Sequence, residues 1–183
     1  TDLDTIAALA PGAVVTLRPS ATGGNQLVVH ATSVHDTTVN SDTLAIAVSD
    51  ATTLAQLARD AVLIGGGDVA LVATSTDNTA ANSTGGGALT SSRATTTALV
   101  DVGPALVLDG GLTLTATQAA TARATGQGVA LVLADHQVLA RLARSVTTSG
   151  ELVLSATGTS DTSSVVQRGG WVLVDAGVLA TLG

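Results

Sequence analysis

The chain contains no cysteine, phenylalanine, tyrosine or methionine, and Trp171 is its one tryptophan. Lacking cysteine, it has no disulfide, no thiol nucleophile and no zinc-thiolate centre. Lacking aromatics, it has few platforms on which sugars or bases stack, and few bulky side chains to fill irregular core space. Lysine is absent too, so Arg18, Arg59, Arg93, Arg123, Arg141, Arg144 and Arg168 carry all the basic charge. With a net charge of −7 and no basic patch, a nucleic-acid partner is excluded. No apolar run reaches the ~18 residues of a membrane-spanning helix. A membrane barrel needs aromatic girdles that one tryptophan cannot supply, so no membrane insertion is expected. The opening "TDLD" has neither the basic start nor the apolar stretch of a signal peptide, which predicts a processed or excised chain.

What remains is uniform. Hydrophobic residues make up 45% of the chain, mostly Val, Leu, Ile and Ala, and such a core suits layers that each meet an equivalent neighbour. Of the fourteen acids only Glu151 is not Asp, a bias toward turns and away from helices. One phrase recurs four times, centred on Ala31-Thr32, Ala73-Thr74, Ala116-Thr117 and Ala156-Thr157, at intervals of 42, 43 and 40 residues. A near-constant period of this size marks a stacked repeat. Before each pair the pattern alternates, which predicts half-buried strands near 27–32, 69–74, 112–117 and 152–157. Leu27, Val29, Val69, Leu71, Leu112, Leu114, Leu152 and Leu154 are the expected inner face. Thr74, Thr113, Thr115 and Thr157 are expected outside.

The expected fold is therefore mainly β: one repetitive domain over 1–183, built of stacked strand repeats of about 42 residues. It is β-solenoid-like, with a β-sandwich or jelly roll as the alternative. Two segments, 52–63 ("TTLAQLARDAVL") and 135–146 ("DHQVLARLARSV"), have a Leu-Ala-x-Leu-Ala-Arg period that predicts short helices, with strands at matching edges of the repeat as the alternative. The polar stretch 74–97 is expected to be a surface loop or spacer.

Read from Ala55 to Thr76, "AQLARDAVLIGGGDVALVATST" resembles the strand repeats of large bacterial filamentous adhesins and haemagglutinin-like exoproteins. The resemblance covers about two thirds of the chain. It implies a right-handed β-solenoid at the cell surface or outside the cell, acting in adhesion or biofilm structure. The alternating Gly and Asp of calcium-binding toxin repeats are absent, and "GGGD" at Gly65–Asp68 reads as a corner.

Catalytic motifs are missing. No G-x-S-x-G elbow, G-x-G-x-x-G loop or metal-ligand spacing occurs. His30 falls on the outward strand face, His35 in a loop and His136 at a turn, so no catalytic residue, metal or cofactor is expected. The chain is read as a non-enzymatic, self-assembling structural or adhesive module whose partners are further copies or neighbouring modules. Trp171, Val172, Leu173, Val174 and Leu179, in the apolar final segment, are the candidate assembly residues. The alternative is an ice- or polysaccharide-binding domain using an outward rank of Thr32, Thr74, Thr115, Thr117 and Thr157, or the 74–97 stretch.

Overall fold

The computed structural model describes residues 1–18 and 25–182, and every regular element among them is a strand. In chain order these are β1 (Asp2–Leu9), β2 (Val14–Leu17), β3 (Asn25–Ser41), β4 (Leu44–Leu57), β5 (Val62–Gly65), β6 (Asp68–Ser83) and β7 (Gly87–Val100). They continue with β8 (Leu106–Leu108), β9 (Leu112–Gly126), β10 (Val129–Leu142), β11 (Val146–Thr148), β12 (Leu152–Val166) and β13 (Trp171–Leu182). Each pairing is parallel and joins a strand to the one three places later. The result is a five-stranded sheet, β1-β4-β7-β10-β13, facing a four-stranded sheet, β3-β6-β9-β12. Short pairs, β2-β5 and β8-β11, form a third side. One layer is thus two long strands and one short one, and the period found in the sequence is one circuit of the chain.

The register is regular. Ala31, Ala73, Ala116 and Ala156 pair in one row across the four-stranded sheet, and Thr32, Thr74, Thr117 and Thr157 pair in the next. Because successive side chains point to opposite faces, a whole row shares its fate. Val29, Val69, Leu71, Leu112 and Leu114 are buried, while Leu27 and Leu154 pack partly against the same core. Leu152 departs from expectation: it is 45% exposed although its row faces inward. The reason is positional, since β12 is the last strand of its sheet and no layer lies beyond it.

The core tapers along the strands. At the end closed by the short strands, the sheets stand apart over Leu57, Leu63, Leu71, Leu106, Leu108 and Leu114. At the opposite end tight turns (42–43, 84–86, 127–128) join the sheets, and the interior is almost wholly alanine, with Ala45, Ala47, Ala81, Ala88, Ala122, Ala124 and Ala130 packed around Val132. Small side chains let the sheets converge there, which is why the chain needs no large aromatic.

The predicted helices at 52–63 and 135–146 are corrected by the structure. Residues 52–57 complete β4, a turn follows, and Val62 opens β5; residues 135–142 belong to β10 and Val146 opens β11. The helical period misled because apolar residues occupy both strand faces: Ala55 and Leu57 point inward and Leu54 outward. The 74–97 stretch is likewise not a loop. It is most of β6 and β7 joined by a turn at 84–86, in the middle of both sheets.

Corners at the short side repeat as well. Asp60 (φ 59°) lies in register with Gly12 (φ 69°), and both occupy the left-handed region that Gly prefers and Asp tolerates. Arg144 ties three layers together there. Its Nη1 donates to the Ala61 carbonyl at 2.8 Å and the Pro104 carbonyl at 3.4 Å, and its Nη2 to the Ala58 carbonyl at 3.4 Å.

The assigned faces have a direct consequence for stability. Leu71→Ala, at a fully buried position, should cost about 2–5 kcal/mol. Thr115→Ala, on the outer face, should cost under about 0.5 kcal/mol. Urea denaturation of the two variants measures both, and equal costs would contradict the faces.

Candidate functional site

All three histidines lie on strands, and two of them are inside. His30 is outward on β3, with its Nε2 2.8 Å from the Thr32 hydroxyl. His35 is not in a loop but buried on β3, and His136 is not at a turn but fully buried on β10. They mark a polar band between the leucine-rich and alanine-rich parts of the core. Its members are Ser33, His35, Thr53, Ser75, Asp77, Thr79, Ser92, Thr96, Gln118 and His136.

Two hydrogen-bond chains run through this band from layer to layer. In the first, Gln118 Nε2 donates to Thr96 Oγ1 at 3.1 Å, and Ser75 donates to Asp77 Oδ2 at 2.7 Å. Ser75 has only one hydroxyl proton, so across their 2.7 Å contact Thr96 is the donor. His35 Nδ1 meets the other Asp77 oxygen at 2.8 Å, so donors converge on one buried carboxylate from two sides. In the second chain, Thr79 donates to Ser92 at 3.4 Å, Ser92 contacts His136 Nε2 at 3.2 Å, and His136 Nδ1 lies 2.7 Å from the Ser160 hydroxyl. Ser33 and Thr53 bridge the sheets in the same band.

The arrangement ties each layer to the next. Serine, histidine and aspartate meet, but Ser75 gives its proton to Asp77 and not to an imidazole, and all three are shielded from solvent. Burial pushes His136 below its ordinary 6.5, outweighing the opposite pulls of Asp77 and Asp135. Unfolded, this imidazole gains a proton as pH falls through 6.5; folded, it stays neutral further down. The unfolded chain then binds more protons, so this contribution is complete above 6.5 and declines as pH falls below it. The urea midpoint should therefore drop between about pH 7.5 and pH 5, and His136→Gln should flatten that drop. An unchanged slope in the variant would show that His136 is not the group responsible.

The outer faces offer two further groupings. On the four-stranded sheet, Thr32, Thr74, Thr117 and Thr157 form one complete rank. Thr115 lies in the adjacent rank with His30, Val72 and Ser155, so the second rank is mixed. On the five-stranded sheet, Arg93 sits between Asp50 and Asp135 at 3.9 and 3.7 Å, beside an open depression that Val48, Leu133 and Asp175 also line. These charges are at least half exposed, and such pairs add little stability. The aspartate bias pointed to turns, yet Asp77, Asp135 and Asp161 are mid-strand. Among the described residues, no group of three or more His, Asp or Glu side chains converges as a metal site, and no helix is long and apolar enough to cross a membrane.

The candidate assembly residues lie together on β13 but on both of its faces. Trp171, Leu173 and Leu179 are outward, in register with Val129, Leu131 and Gln137. Val172 and Val174 are in register with the inward Ala130 and Val132. All five are exposed, from 41% at Val174 to 83% at Trp171. Among the described residues, β13 and β12 each pair along one edge only, as do β1 and β3 at the other end of the stack. Comparison with protein-family models, with curated proteins and with solved structures gives no match to this chain.

Proposed function

We propose that the chain is a β-solenoid module of an extracellular or cell-surface bacterial protein, of the filamentous-adhesin kind, that serves as a structural or adhesive element and stacks end to end. Parallel pairing of each strand with the one three places later supports a solenoid over a sandwich or jelly roll, whose sheets are antiparallel. The observation that carries the functional reading is the state of the two ends. Among the described residues, strand edges are unpaired at both ends, and at the β12–β13 end the inward-directed Leu152, Val172 and Val174 are 41–52% exposed. Soluble proteins ordinarily cover or charge such edges. Here apolar side chains that should face a core are left without a covering layer, so the ends suit another layer, from a further copy or a neighbouring module. The reading is non-enzymatic and has no cofactor, because the buried polar groups are engaged in ties between layers.

A second reading rests on the complete threonine rank. A flat, regularly spaced row of hydroxyls on an exposed sheet suits ice or a polysaccharide. Only one rank is complete, which favours the assembly reading. Inhibition of ice recrystallisation lost in Thr74→Leu would reverse that preference.

Particle size measured by light scattering across a range of concentrations tests the main proposal. The full chain should grow with concentration, and truncation after Gly170 should abolish growth while circular dichroism still reports β structure. A chain that stays monomeric at high concentration would favour a discrete binding domain.

A further inference from the structure

The two ends of the stack are offset by half a layer. The five-stranded sheet ends on β13, while the four-stranded sheet ends on β12, so β13 has no strand opposite it in its own layer. A strand-shaped position is therefore open along β12, and Val172 and Val174 point toward it from β13. At the other end the offset is reversed. β3 runs its full 17 residues along the outer edge, whereas β1 covers only Asp50–Leu57 of β4. Among the described residues, the rest of that edge, Leu44–Ser49, receives only the Thr1 amine at the Val48 carbonyl.

The registers of the two ends match. Through β7 and β10, Trp171–Ala176 of β13 align with Leu44–Ser49 of β4. Through β6 and β9, Leu152, Leu154, Ala156 and Thr157 of β12 align with Leu27, Val29, Ala31 and Thr32 of β3. Resting on the assembly reading, we propose that a second copy of this chain docks head to tail with its β3 alongside β12 and its β4 alongside β13, so that β13 takes the edge that β1 holds in the isolated chain.

The side chains agree with this register. On the inner side, leucine, valine and alanine of the second copy extend rows of the same kind, while on the outer face its Thr32 extends the threonine rank. Its Val39, which packs at the alanine-rich end of the core, arrives opposite Val172 and Val174. On the outer side, its Leu44 and Ile46, exposed at 58% and 48%, flank Trp171 and Leu173. An unfavourable neighbour is Asp36 beside Asp161, which Arg123 already pairs at 2.7 Å. Beyond Ala176, β13 and the second copy's β1 compete for Asp50–Leu57. No side chain of β1 is fully buried, so β13 can displace it without opening a sealed core, and β1 acts as a brake on assembly.

The absence of native cysteine makes the test clean. Adjacent strands lie about 4.8 Å apart, within reach of a disulfide. Full-length chain carrying Leu173→Cys and Ile46→Cys, both exposed positions, should give a ladder of covalent oligomers on mild oxidation. The pair Leu173→Cys with Ile6→Cys, which places one thiol on the displaced β1, should not. Deleting residues 1–9 should tighten assembly on the order of tenfold by removing the competitor. Assembly with no ladder from the first pair, a ladder from the second, or indifference to the deletion would overturn this docking mode and leave the assembly reading intact. A full chain that is monomeric at every concentration would overturn both.

Discussion

In-register parallel pairing is the constraint on which everything else in this molecule depends. A strand that slipped by one residue would turn its inner row to solvent and its outer row to the core. The buried polar band raises the penalty further, because His35 must meet Asp77 and His136 must meet Ser92 and Ser160 across layers and sheets. Burying such groups without partners is costly, whereas in the aligned stack most of them are satisfied. Apolar layers alone would hold together in several registers. The polar band restricts them to one.

The taper follows from the same arrangement. Where two long sheets are joined by tight turns the core is filled mostly by alanine, among them Ala47, Ala88 and Ala130, around Val132. Where a third side intervenes, the space widens to leucine. Arg144 secures that wide end by donating to carbonyls of earlier layers, and burial pushes its guanidinium below the usual range despite Asp101 and Asp60 nearby. The composition, poor in aromatics and rich in alanine, leucine and threonine, is the chemical form of this geometry.

Sequence reasoning found the strands whose two faces differ in polarity. Around Ala31, Ala73 and Ala116 the inner row is aliphatic and the outer row is largely polar, and alternation there reads directly as a strand. It failed where the faces are alike. At Leu54–Leu57 an apolar residue, Leu54, stands on the outer face as well, so the spacing matched a helix, while between Thr74 and Thr97 both faces are largely polar, so a sheet interior resembled a loop. Ser75, Asp77, Thr79, Ser92 and Thr96 are buried because neighbouring layers satisfy them, a fact no single-strand pattern contains. A clue was nevertheless available at the repeat interval: His35 stands 42 residues before Asp77, and that spacing places the two side by side. Read as a period and not as a local motif, it would have identified the buried pair.

Each circuit of the chain commits some 42 residues to a single step of the stack. Along the stacking axis that step is about 4.8 Å, while the same segment drawn out spans roughly 140 Å. A tether pulled along its axis and losing one layer would therefore lengthen nearly thirtyfold over that segment before the next layer is strained. Under tension such a stack behaves as a spool: stiff while wound, and able to absorb a sudden pull by paying out one turn at a time.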